Sequence, residues 1–210
     1  GLRYTLIIAV PCAVGMSVLS KPILMLLYPG QRASAINAAP CLSILAISVI
    51  FLGCVHTLTG ILQGVGKQIV PVINLAIGAC CKVVVTYTLT GIPSLNVKGA
   101  ACGTLTAYAV AAILDLLAVM KYTETKIDFT QSLLKPLASA LVMGAAVYGA
   151  YAAVSSVLGN ALSTVVSIGV GVVVYVLMVF AFKTLTVQEI EGLPKGKTLV
   201  KILRKVRLVK

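Results

Sequence analysis

Charge is what this sequence has least of. Of 210 residues only 10% are charged, against about 25% in an ordinary soluble domain. Tryptophan is absent, aromatics make up 6%, and there is one histidine. A soluble globule of this size could not cover its surface with so few polar groups, and a disordered chain would need far more of them. The five acids are Asp115, Glu124, Asp128, Glu189 and Glu191. Four lie in loop or tail sequence without the spacing of a carboxylate pair, so acid–base catalysis has no foothold. Six cysteines (Cys12, Cys41, Cys54, Cys80, Cys81, Cys102) sit in apolar runs with no CxxC pattern. They read as small buried residues rather than as disulfides or metal ligands. Neither a metal nor a cofactor is expected.

What the chain does have is apolar length: 60% hydrophobic residues and a mean hydropathy of +1.08. A helix crosses the roughly 30 Å hydrocarbon layer with about 20 apolar residues, and six stretches qualify. They run over 4–28, 38–63, 69–90, 99–120, 136–157 and 162–182. All are apolar on every side and too long for barrel strands. The expected fold is therefore an all-α polytopic membrane bundle. Pro11 predicts a kink in the first span, and Pro29-Gly30 its end. Pro71 and Pro136 fall in first turns, where a missing N–H is harmless. Small-residue pairs Gly60/Gly64 and Gly99/Gly103 predict close helix approach. The chain opens with Gly1, not Met, and without a signal-peptide pattern, which reads as part of a longer protein.

The net charge of +12 is a matter of topology. With Gly1 cytoplasmic, that side carries Arg3, Lys67, Lys121, Lys126, Lys135, Lys183 and every basic residue of 195–210. The opposite side carries only Lys21, Arg32 and Lys98, so the positive-inside rule places both termini in the cytoplasm. Nucleic acid is not an expected partner, because the basic residues form no face with stacking aromatics. In the tail, Leu199, Ile202, Leu203, Val206 and Val209 recur at helical spacing among Lys and Arg, the pattern of a basic helix lying on anionic lipid.

Few residues remain that could carry chemistry. Gly64-Val65-Gly66-Lys67 looks like the end of a phosphate-binding loop, but Ile61 and Gln68 break the pattern at its two ends; a tight turn is expected. Lys82 lies about 19 Å into its span, a depth at which a charge costs roughly 2.5–3.5 kcal/mol unless it faces water or an anion. It is the leading candidate for contact with an anionic substrate such as a pyrophosphate. Asp115 is the only acid inside a span and sits toward its cytoplasmic end, about 10 Å shallower than Lys82. A bond to Lys121 or interfacial snorkelling is its simplest role, and ion or proton coupling the functional one. His56, beside Thr57 and Thr59, either bonds a neighbouring helix or moves protons. Asn74, Tyr87 and Tyr108 serve as helix–helix glue or as polar lining of a cavity.

One block carries a resemblance. Residues 59–67 (TGILQGVGK), then 71–74 (PVIN), Lys82, 92–101 (IPSLNVKGAA) and Gly103-Thr104 are similar to the C-terminal half of the stage V sporulation protein B group. That group lies within the multidrug/oligosaccharidyl-lipid/polysaccharide exporter superfamily. The segments 11–15 and 20–24 resemble the same pattern. The resemblance implies two lobes around a central cavity, with two further C-terminal helices, flipping lipid-linked oligosaccharide of cell-wall type by alternating access. On that mapping, 1–120 are four spans of the second lobe, 121–183 the extra pair and 184–210 the basic tail. The first half would be missing from this chain. Lys82 falls on a cationic position of that pattern; from the residues themselves, Asn74 and Tyr87 join it as expected substrate contacts, and Asp115 and His56 are the candidates for coupling to an ion or proton. The expected place is the bacterial cytoplasmic membrane. A drug/cation antiporter of the same superfamily, or a membrane assembly subunit without transport, are the rival readings.

Overall fold

The computed structural model describes residues 1–93, 95–123 and 134–181. The loop acids Glu124 and Asp128 and the tail from 184 onward lie outside the described residues. Among the described residues the architecture is entirely helical: α1 (Leu2–Val18), α2 (Ser20–Leu27), α3 (Arg32–Gly64), α4 (Ile69–Thr90), α5 (Val97–Thr123) and α6 (Lys135–Ala181). Gly159, at φ 71° and ψ 172°, breaks α6 into two limbs, Lys135–Ser155 and Gly159–Val179. That backbone region is essentially open to glycine alone, which accounts for the turn. Among the described residues five helices, counting the two limbs of α6 separately, are long and apolar enough to cross a membrane, or six if the bent pair α1–α2 forms one span. A polytopic helical membrane bundle is what the sequence pattern implied, and the spans fall where it placed them.

The first span differs in where it bends. The expected kink at Pro11 is not where the chain breaks: α1 runs through Pro11, and the 74° bend falls between α1 and α2 at Leu19. Pro22 explains the site of the break. It can neither donate to the carbonyl four residues back, at Val18, nor tolerate that carbonyl against its ring, but it is harmless in the first turn of a new helix. Pro11 leaves the Ile7 carbonyl without its helical partner. The Tyr175 hydroxyl, from the second limb of α6, donates to that carbonyl at 2.6 Å. A spanning helix keeps an internal proline when a neighbour satisfies the freed carbonyl in this way. Tyr175→Phe is expected to cost about 1 kcal/mol, read as a lower unfolding midpoint in detergent; an unchanged midpoint would show that the bond is dispensable.

The helices pack in order. α1 lies between α3 and α6, α3 packs on α5, and α4 packs mainly on α5. α1 meets the first limb of α6 through Leu6, Val10 and Ala140. A second cluster, Leu19, Met143 and Val147, ties the bend to the same limb. Serine hydroxyls clasp the bend to α3: Ser43 donates to Ser20 at 2.8 Å, while Ser17 donates to the Ser43 carbonyl at 3.2 Å.

The α4–α5 contact is close because side chains are absent from it. A Cβ on Gly78 would stand 2.6 Å from the Ala107 carbonyl oxygen, and one on Gly99 would stand 2.7 Å from the Leu89 backbone. Gly103 meets the Lys82 backbone and Thr86 in the same way. The pair Gly99/Gly103 thus does what its spacing implied. Gly60/Gly64 does not, since nothing stands within 4 Å of a Cβ at either. The turn after α3 is a helix stop and not a phosphate loop. Gly66 has φ 79°, its N–H bonds the Gln63 carbonyl at 2.9 Å, and the Lys67 N–H bonds the Leu62 carbonyl at 2.8 Å. This pair of bonds is the Schellman arrangement, with glycine in the left-handed position it favours.

Candidate functional site

Close packing of α4 on α5 brings two of the candidate residues together. The Asn74 side-chain amide on α4 donates to Asp115 Oδ1 on α5 at 2.8 Å. Asp115 has no exposed surface and Asn74 is 9% exposed. Asp115 Oδ2 is buried with no hydrogen-bond partner. Thr59 on α3 faces the same carboxyl, so three helices converge on one acid. Neither of the simple roles proposed for Asp115 describes it. It does not snorkel to an interface, and Lys121 is engaged elsewhere, with its ammonium 5.9 Å from the centroid of the Tyr122 ring. Lys67 approaches that ring as well, at 5.2 Å, joining the ends of α3 and α5.

The other candidates stand apart from this cluster. Lys82 is exposed, eight residues past Asn74 and so on the order of 12 Å further along the helix axis. Its backbone lies against Gly103, which puts the side chain on the flank of the α4–α5 seam. Tyr87 is 83% exposed; five residues from Lys82, it points about 140° away around the helix and shares no face with it. His56 is exposed on α3. Beside it, the hydroxyls of Thr57 and Thr5 share a hydrogen bond at 2.6 Å, tying α3 to α1. Asn74, grouped on sequence with Lys82 and Tyr87, therefore belongs with Asp115.

Two features result: a lone exposed cation deep in an edge helix, and a buried carboxyl with one free oxygen. The first can meet an anionic head group that enters from one side of α4. The second can take up a proton while its other oxygen holds its orientation; a cation would need the helices around it to part. Among the described residues no three of His, Cys, Asp and Glu converge as a metal site would require. All six cysteines are free, but none is fully buried as the sequence implied, and Cys12 and Cys80 are exposed on outward helix faces.

Helices α1 to α3 and nearly all of α4, with Lys82, Asn74, Tyr87 and His56 among them, lie within one family match. Residues 1–88 match the MatE family. Asp115 lies beyond the matched segment. The chain is also similar to the "Uncharacterized membrane protein YabM" of Bacillus subtilis (strain 168), with 23% identity over 97% of this chain and 38% of that protein. It thus spans well under half the length of that relative. No solved structure matches.

Proposed function

We propose that the chain is the C-terminal part of a transporter that moves polyprenyl-pyrophosphate-linked oligosaccharide across the bacterial cytoplasmic membrane by alternating access. The observation that carries this reading is Lys82: an exposed lysine about 19 Å into a spanning helix, inside the segment similar to MatE. At that depth a cation needs water or an anion beside it, and a pyrophosphate supplies the anion. α1 to α5 would contribute to the lobe that lines the pathway, α6 would be the additional helical pair, and the rest of the pathway would come from sequence upstream. No bond is made or broken. The charged head crosses a hydrated passage while the polyprenyl tail stays in lipid, and Asp115, with His56 as the further candidate, couples the exchange of conformations to an ion or proton.

Asp115 also favours a second reading, a drug/cation antiporter of the same superfamily, because such a protein needs a buried acid and this chain has one. Reconstitution separates the two. In liposomes the full-length protein is expected to flip a fluorescent lipid-linked oligosaccharide at least tenfold faster than protein-free vesicles and to leave a cationic dye untouched. Dye efflux without flipping would replace the first reading by the second. Absence of both would leave the assembly subunit.

A further inference from the structure

At the end of the bundle opposite Gly1, a recess of about 370 Å³ with a mixed polar and apolar lining opens between α2, the start of α3 and the turn between the limbs of α6. Its walls include Pro29, Arg32, Tyr151, Ser155 and Asn160. Three of the polar groups are already committed. Tyr151 donates to Asn160 Oδ1 at 2.8 Å, Asn160 donates to the Pro22 carbonyl at 3.3 Å, and Ser155 donates to the Ala152 carbonyl at 3.3 Å. They form a fixed wall. Arg32 differs: it is exposed, and its guanidinium has no partner among the described residues, leaving five N–H donors in a planar fork. It begins α3, whose first turn has no side-chain cap. The recess therefore presents positive charge and unused donors on a rigid frame.

Depth decides what it meets. α3 has 33 residues, about 50 Å of helix, which exceeds the roughly 40–45 Å of a bilayer with its head groups. The apolar stretch begins only at residue 38, so Arg32 stands on the order of 9 Å beyond the hydrocarbon edge, at the level of the phosphates. One turn deeper on the first limb of α6, from Tyr151 to Val147, begins an apolar groove of about 580 Å³ between α1 and both limbs of α6, lined by Ile23, Val147 and Val172 among others. Tyr151 and Ile23 pack on one cluster with Val147, so the groove and the recess are neighbours. A volume of that size is in the range that encloses a small-molecule ligand.

We infer that this recess and groove together form a site for an anionic glycerophospholipid of the outer leaflet, with its phosphate on Arg32 and an acyl chain between α1 and α6. Charge complementarity selects the head group, and the apolar groove below selects a lipid over a soluble anion. The inference rests on the membrane placement of the helices and not on transport, so the two stand or fall separately.

The test uses the full-length protein in detergent, with native mass spectrometry reading retained lipid during titration with phosphatidylglycerol or phosphatidylcholine. Phosphatidylglycerol is expected to be retained in preference. Arg32→Gln should weaken that retention about tenfold, the scale of one charge-assisted hydrogen bond, and remove the preference over phosphatidylcholine, whose phosphate already carries its own ammonium counter-charge. Arg32→Lys should recover most of the loss, which an unfolded variant could not do. Val172→Trp, which fills the groove, should weaken both lipids. Equal retention of phosphatidylglycerol by Arg32→Gln would overturn the site. Displacement of the lipid by millimolar inorganic phosphate would assign the recess to a free anion and overturn the lipid.

Discussion

Lys82→Glu in the full-length protein is expected to abolish transport while the protein still reaches the membrane at normal levels. The reasoning begins with cost. A lysine about 19 Å into a spanning helix loses roughly 2.5–3.5 kcal/mol on insertion scales, and the one acid among the described residues, Asp115, is bonded to Asn74 and not to Lys82. An anionic cargo that enters beside α4 would offset this cost. Loss of one member of a desolvated charge pair costs about 2–5 kcal/mol, so removal of the charge in Lys82→Met should lower the flipping rate at least about thirtyfold. Reversal in Lys82→Glu adds repulsion, and complementation of a deletion strain should fail. Lys82→Arg keeps the charge and should retain transport. Tyr87, directed well away from Lys82 around the helix and almost wholly exposed, should tolerate Phe with little change. Full complementation by Lys82→Glu would falsify the contact with an anionic head group.

How much of this was legible in the sequence depended on whether the signal was local. α4 matches its expected range, 69–90, because Pro71 marks its first turn and Gly91 follows its last residue. The turn at Gly159 falls in the gap left between the expected spans 136–157 and 162–182. The break at Leu19 was not legible, since apolar sequence resumes directly after Ser20-Lys21-Pro22 and the whole stretch 4–28 reads as one span. The meeting of Asn74 with Asp115 joins residues 41 apart in sequence and needed the register of two helices. That register has a trace in the small residues. Gly99 lies against Leu89, Gly103 against Thr86 and Ala107 against Gly78. The antiparallel count continues to Asp115 opposite Asn74, so glycine spacing on two helices would have found the pair where depth arithmetic alone could not. The side on which Lys82 stands is set by the same packing.

Asp115 allows a sharper separation of roles than Lys82, because its two oxygens do different things. Oδ1 accepts from Asn74 and holds α4 to α5; Oδ2 is buried and unpartnered. Asp115→Asn preserves shape and leaves an oxygen for Asn74 to donate to, while it removes the charge that a proton or cation would bind. Asp115→Leu removes both and leaves the Asn74 amide buried without an acceptor, at a cost of about 1–3 kcal/mol. If the acid only glues helices, Asp115→Asn should transport normally and Asp115→Leu should show a lower unfolding midpoint. If it couples, Asp115→Asn should fold with an unchanged midpoint yet lose all acceleration of flipping by an imposed proton or sodium gradient. The expected result is the second. Gradient-driven transport by Asp115→Asn equal to that of the parent protein would reduce Asp115 to a packing residue, and coupling would then pass to His56 or to upstream sequence. A double substitution, Asn74→Leu with Asp115→Leu, should recover stability relative to Asp115→Leu alone, since the orphaned amide is gone. It should not recover the response to the gradient, which needs a charge that no rearrangement of α4 on α5 can replace.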